Sequence, residues 1–184
     1  MSDLPDDLIR DLQSFDQRMR DEIRADAHEE EGLVADAELR NQTFADALLE
    51  LVNRGDTVQL ITPRRTFLGQ LVYVGRDFVT VKDPESTIDV NLAQSCVVHV
   101  VVRAKEGGKA KGQGPGSFEM RMYEHKMDMA DIEIHTASME EGVKGKISVV
   151  GQDHLLVVDA HKESWLFPLS TVHFVIRRPD TQRR

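Results

Sequence analysis

The chain has 184 residues, a net charge of −9 and a hydrophobic fraction of 40%, which is enough for a packed core. Its apolar runs are far shorter than the roughly 20 residues that cross a bilayer, and its acidic start lacks the basic and apolar regions of a secretory signal. A single cysteine, Cys96, excludes a disulfide framework and predicts a reducing, cytoplasmic compartment.

The negative charge is concentrated near the N-terminus. Residues 1–56 contain 16 acids and 6 bases, a net of −10, whereas residues 57–184 contain 16 acids and 17 bases, a net of +1. Nonspecific affinity for nucleic acids grows with the number of phosphates that Lys and Arg neutralise, so the near-neutral body does not predict strong binding of this kind. The split predicts an acidic arm ahead of a neutral body.

The first predicted element is a helix over residues 5–27, whose apolar residues recur at spacings of three or four and form one stripe. A stripe this narrow makes a marginal helix, so the helix needs the body, a partner helix or a second copy to pack against. The predicted partner-helix face consists of Leu8, Leu12, Phe15, Met19 and Ile23.

A second helix is predicted in NQTFADALLELVNRG, with Thr43 as N-cap and Gly55 just past the end. The apolar period then changes to two, which predicts five short strands: DTVQLIT, RTFLGQLVYVG, DFVTVKD, TIDVNL and SCVVHVVVR. The Gly-rich stretch AKEGGKAKGQGPGS that follows is typical of a flexible linker or a long loop.

The same plan then occurs a second time. A helix is predicted in SFEMRMYEHKMDM, and five more strands in ADIEIHT, GVKGKISVVG, DHLLVVD, SWLFPL and TVHFVIRR. Glycines and aspartates recur 76 residues apart, as Gly69 and Gly145, Gly75 and Gly151, and Asp77 and Asp153. A fixed period over this length indicates an internal duplication.

The segment FLGQLVYVGRDFVTV has a glycine early in one strand and Asp-Phe-Val at the tight turn into the next. This pattern resembles the Sm-like fold of Sm, LSm and Hfq proteins, and small barrels of the PRC type are an alternative. The chain is also similar to a group of actinobacterial proteins with an acidic helical start and an Sm-like body. The resemblance implies an α+β, mostly β protein with two tandem five-stranded Sm-like barrels, each preceded by a helix.

The expected domains are an acidic helical arm (1–41), a first barrel with its leading helix (42–103), a linker (104–116), a second barrel (117–178) and a tail (179–184).

The resemblance implies single-stranded RNA as a ligand. The RNA-reading asparagine of the family falls near Thr80 and Leu156, so this chain departs from the pattern there. Lysines on a Gly-rich linker can follow a phosphate backbone, although they equally serve to keep a linker soluble. The candidate nucleic-acid-binding residues are Arg64, Arg65, Arg76, Lys105, Lys109 and Lys111.

Methionines cluster around His125, at Met120, Met122, Met127 and Met129. Thioethers with an imidazole suit a soft ion such as Cu(I), but the helical spacing favours an ordinary apolar helix face. The other histidines lack the spacing of a zinc site, and the chain contains neither a nucleophile elbow nor a phosphate loop. We therefore expect no metal, no cofactor and no catalytic site.

Two classes of function follow from the sequence. The first is a non-enzymatic protein-interaction or assembly module, which works through the helical stripe or through exposed strand edges that accept a further strand. The alternative is a single-stranded RNA-binding protein that is regulated by its acidic arm, which competes with RNA for the binding face.

Overall fold

The structure is a computed structural model, which describes residues 42–104, 107 and 114–178. All of these except residues 42 and 43 belong to one compact unit, Phe44–Arg184. The predicted partner-helix face, Leu8 to Ile23, lies outside the described residues. Neither helix in the described part has the length and apolar content needed to cross a bilayer.

Two helices, ten strands and one short 3-10 helix make up the described part of the chain. The helices are α1 (Phe44–Arg54) and α2 (Phe118–Met127), and the 3-10 helix is Leu169–Thr171. The strands are β1 (Thr57–Ile61), β2 (Thr66–Val74), β3 (Phe78–Lys82), β4 (Thr87–Asn91), β5 (Val97–Val102), β6 (Ile132–Thr136), β7 (Val143–Val150), β8 (His154–Asp159), β9 (Ser164–Pro168) and β10 (Val172–Arg177).

All ten strands belong to one antiparallel sheet, with the order β5-β1-β2-β3-β4-β10-β6-β7-β8-β9. The first repeat, α1 with β1–β5, and the second repeat, α2 with β6–β10, share one internal order, in which the fifth strand pairs with the first. The link between the repeats is the pairing of β4 with β10, so β5 and β9 are left as the two outer strands.

The expectation of two separate five-stranded barrels is wrong. The chain is mostly β, as expected, but it forms a single ten-stranded sheet that does not close, with two helices in its described part. The physical reason is that β10 pairs on one side with β6 of its own repeat and on the other with β4 of the first repeat. The ladder therefore continues across the boundary between the repeats.

The hydrophobic cores of the two repeats exchange residues across this boundary. Phe78, from β3 of the first repeat, is buried in the core of the second repeat against Phe118 of α2. In the other direction, Phe174 and Ile176 of β10 are buried in the core of the first repeat. The rings of Phe174 and Phe67 pack edge to face there, with 4.9 Å between their centroids. Each core is thus completed by the other repeat.

Backbone hydrogen bonds establish which positions of the two repeats are equivalent. The N–H of Leu92 donates to Asp77 O at 2.8 Å, and the N–H of Leu169 donates to Asp153 O at 2.7 Å. The Gly75 and Gly151 amides likewise donate to Phe78 O and His154 O. The duplication that the sequence indicates is therefore present in the hydrogen bonds of the fold.

The two helices end in the same way but with different residues. Gly55 follows α1 with a φ of 79°, and Met129 occupies the corresponding place after α2 with a φ of 50°. A left-handed residue just past a helix is a standard C-terminal cap, and glycine adopts it without the steric cost that a side chain adds. Met129 is exposed, so its side chain contributes little packing that would offset this cost.

We expect Met129→Gly to raise the free energy of unfolding by about 0.5–1 kcal/mol, since relief of the left-handed strain outweighs the greater flexibility of glycine in the unfolded chain. Met127→Gly is the matched control, because Met127 is also exposed but lies inside the last turn of α2, where glycine costs about 1 kcal/mol. Urea titrations of both variants test the assignment, and destabilisation by Met129→Gly contradicts it.

Candidate functional site

The junction between the repeats is an antiparallel ladder of four residue pairs. It runs without a bulge along β4 and β10. The α2 helix of the second repeat contacts β3 and β4 of the first repeat through side chains. The paired residues are Val90 with Phe174, Asp89 with Val175, Ile88 with Ile176 and Thr87 with Arg177.

A buried carboxylate lies at the centre of this junction. The side chain of Asp89 on β4 is fully buried, and three donors converge on it. Thr80 Oγ1 donates to Oδ1 at 2.6 Å, while Arg121 Nε and His125 Nε2 donate to Oδ2 at 3.0 and 2.6 Å. The first donor comes from the first repeat and the other two come from α2. The carboxylate therefore joins the repeats directly.

The electrostatics of this cluster favour the ionised carboxylate. Burial raises the pKa of Asp89, but the interactions with His125, Arg121 and Thr80 together lower it further, so the net shift is downward from 3.8. A carboxylate only accepts hydrogen bonds, so His125 Nε2 carries a proton. Its other nitrogen, Nδ1, is buried without a hydrogen-bond partner in the described structure.

Further polar contacts cross the junction, among them two that adjoin the shared ladder. The Asp77 carboxylate, in the turn between β2 and β3, accepts a 2.7 Å hydrogen bond from the backbone N–H of Phe118, the first residue of α2. A negative group is favourable at the start of a helix, where backbone N–H groups lack helical partners. The Asn91 side chain donates to Val172 O at 3.1 Å. Both bonds lie at the Val90–Phe174 end of the shared ladder.

The outer strands β5 and β9 have one unpaired edge each within the described part of the sheet. Both edges are apolar, since Val97 on β5 is 61% exposed and Leu166 on β9 is 66% exposed. Val101 and Val102 extend the exposed apolar row along β5. Exposed hydrophobic strand edges commonly accept another strand.

The three predicted basic residues that the structure describes do not form one cluster. Arg64 and Arg65 lie in the turn before β2, and Arg76 lies in the turn after it, so about 25 Å of strand separates them. Arg64 donates to the carbonyl of Ala137, and Arg65 lies over the ring of Phe67. Lys105, Lys109 and Lys111 lie outside the described residues. RNA binding by these six residues stays a prediction.

The methionine and histidine cluster is split between two environments. Met122 and His125 are buried, the first in the core of the second repeat and the second against Asp89, whereas Met120, Met127 and Met129 are exposed. No group of His, Cys, Asp and Glu among the described side chains has the geometry of a metal site. The prediction of an apolar helix face therefore explains why Met122 is buried. It did not anticipate that His125 is buried against the carboxylate of Asp89.

A cavity of about 500 Å³ opens beside Arg121. Two of its three lining cations are paired, since Arg121 contacts Asp89 and Glu124, and Arg177 lies 2.7 Å from Asp128. We therefore assign no ligand to this cavity.

A scan against protein-family models finds no match to this chain, and a search of curated proteins finds no relative.

We expect Asp89→Asn to lower the free energy of unfolding by about 3 kcal/mol or more at neutral pH, because it removes the charge that pairs with Arg121 and with the fully buried His125. Asp131→Asn is a matched control, since Asp131 is an exposed carboxylate whose nearest cation, Lys146, lies at 3.8 Å. Such surface pairs contribute less than about 1 kcal/mol. Equal effects of the two substitutions in urea titrations contradict the central place of Asp89.

The contribution of Asp89 also depends on pH. Because its pKa is lowered in the folded state, its stabilisation is complete above 3.8 and is lost as the pH falls through the folded-state pKa. Asp89→Asn lacks this dependence, so the difference in unfolding free energy between wild type and variant should narrow below about pH 4. Paired urea titrations from neutral pH into acid measure it, and a constant difference argues against an ionised Asp89.

Proposed function

We propose that this chain is a non-enzymatic assembly module that joins copies of itself head to tail, by pairing β9 of one copy with β5 of the next. One observation carries the proposal: the chain already makes this contact internally. In the junction, the fourth strand of one repeat pairs with the fifth strand of the other. The two unpaired outer strands are the fifth strand of the first repeat and the fourth strand of the second.

The internal junction predicts the register of the contact between copies. Cross-strand partners make β9 equivalent to β4, since Val79 pairs with Val90 and Leu155 with Phe167. The pairing of β5 with β1 and of β10 with β6 makes Val98 equivalent to Val175. The pairs between copies are therefore Val97 with Phe167, Val98 with Leu166, His99 with Trp165 and Val100 with Ser164.

The exposure of equivalent residues supports the same contact. Phe118, which the junction covers, is 3% exposed, whereas its counterpart Phe44 at the start of α1 is 47% exposed. Asp77 accepts the hydrogen bond from the start of α2, and its counterpart Asp153 has an exposed carboxylate. In the assembly, Asp153 of one copy accepts from the Phe44 N–H of the next, and both apolar edges are buried.

We propose the cytoplasm as the compartment, because a chain with one cysteine suits a reducing environment. The one cysteine, Cys96, is partly buried directly before β5, and burial raises the pKa of its thiol. A thiol with a raised pKa reacts slowly, so it does not interfere with pairing at the neighbouring edge.

We expect the full chain to form species larger than its 20.8 kDa monomer, with a distribution that shifts to higher mass with concentration. Cysteines at Val98 and Leu166, in a chain with Cys96→Ser, should form disulfides between copies under mild oxidation, because directly paired strand residues lie within disulfide range. Sedimentation velocity and non-reducing gels measure the two effects.

The matched control for the crosslink replaces Val98→Cys by Val102→Cys. Val102 lies four residues further along β5, about 13 Å from the predicted partner, which is too far for a disulfide. A monomer at all concentrations, or equal crosslinking by both pairs, contradicts the proposed assembly.

A further inference from the structure

The polar cluster of the internal junction has an apolar counterpart at the free edge of β9. Thr80 and Asp89 are cross-strand partners on β3 and β4, and the equivalent partners on β8 and β9 are Leu156 and Leu166. Asp89 is covered by α2, whereas Leu166 is exposed. The strand surface that the second repeat presents to a neighbour is therefore apolar where that of the first repeat is polar.

The helices differ in the same way as the strands: the residues of α2 at this contact are polar, and the equivalent residues of α1 are apolar. The N–H of Ala130 donates to His125 O at 3.0 Å, and the N–H of Asp56 donates to Leu51 O at 3.1 Å, which makes Leu51 the counterpart of His125. One turn earlier, Ala47 is the counterpart of Arg121. Where α2 presents a cation and an imidazole, α1 presents two small or aliphatic side chains.

The strand side and the helix side of the contact thus differ between the repeats in a matched way. Inside the chain, Asp89 meets Arg121 and His125. Between copies, head-to-tail pairing of β9 with β5 places Leu166 and Leu156 against Ala47 and Leu51. Apolar side chains on both sides of this contact match each other, as the charged and hydrogen-bonding groups do at the internal junction.

We infer that these four pairs of equivalent positions determine which junctions form: the polar set selects pairing within the chain, and the apolar set selects a second copy of the chain. This inference rests on the proposed head-to-tail assembly. A mismatched junction is penalised, because an unpaired carboxylate or guanidinium would be buried against leucine. Specificity of this kind combines a matched contact with a penalty on the wrong partner.

The apolar surface has the exposure that the inference requires. Leu166 is the most exposed large hydrophobic residue of β9, and Leu51 is only partly buried against the core of the first repeat. Leu156 is likewise partly buried. Each therefore has apolar surface left to bury against another copy.

The test exchanges the polar set into the contact between copies. One variant, called strand-polar, carries Leu156→Thr and Leu166→Asp, and the other, called helix-polar, carries Ala47→Arg and Leu51→His. We expect each variant alone to associate at least roughly 100-fold more weakly than wild type, because each buries a charge without a partner. Sedimentation velocity over a concentration series measures the association.

The informative sample is an equimolar mixture of the two variants. In the mixture, the polar strand face of one variant meets the polar helix face of the other, and the two unchanged apolar faces also meet. We expect the mixture to recover association to within about 10-fold of wild type, with the variants alternating. Mixing with wild type should give no such recovery, because one of every two heterologous contacts stays mismatched.

Met120→Asp is the matched control for an added surface charge. Met120 is exposed on α2, lies outside both contact surfaces, and corresponds to Asp46 of α1. It should leave association unchanged. Leu166→Asp alone tests the same contact if a double variant fails to fold. Because Leu166 is exposed, this single substitution should leave the urea midpoint unchanged and still weaken association.

The outcomes separate the two proposals. A wild-type chain that stays monomeric, or a Val98→Cys, Leu166→Cys chain that does not crosslink between copies, overturns the assembly itself. If wild type assembles and the cysteine variant crosslinks as predicted, but folded strand-polar and helix-polar chains each assemble as well as wild type, or their mixture stays dissociated, the assembly stands and the pairing rule is wrong. Recovery only in the mixture supports both.

Discussion

The buried carboxylate of Asp89 constrains the rest of this structure. An ionised group without solvent is tolerated only where enough donors surround it, and here two of the three donors belong to the neighbouring repeat. This requirement favours the relative position of the repeats in which Arg121 and His125 both reach Oδ2. The ladder between β4 and β10, the cap from Asp77 and the shared cores are all compatible with that position.

Interlocked cores explain why the repeats form one sheet and not two barrels. A repeat of about 60 residues buries a modest fraction of its surface when it is alone. Removing the second repeat would withdraw Phe174 and Ile176 from the first core and would expose Phe78. The free edges β5 and β9 lack such a partner among the described residues, which is why valine and leucine are exposed there.

Local patterns in the sequence predict the elements but not their pairing. Alternating apolar residues locate all ten strands, and Gly55 marks the end of α1, because both signals depend on near neighbours. The contact between β4 and β10 joins residues more than 80 positions apart, and no local pattern specifies it. One signal was available: TIDVN places Asp89 between apolar residues in a strand, and a buried acid of this kind requires a cationic partner.

Differences between the repeats carry more information than their likeness. The backbone ladder, and the aspartate that faces a helix start, are features that any pair of these repeats could share. If the side chains were also identical, a first repeat could pair with another first repeat, and the order of subunits would be undefined. Under the proposed pairing rule, the exchange of Thr80 and Asp89 for Leu156 and Leu166, with the matching exchange on the helices, removes this ambiguity. In the proposed assembly, a common backbone contact provides two junctions of different chemistry, one within the chain and one between copies.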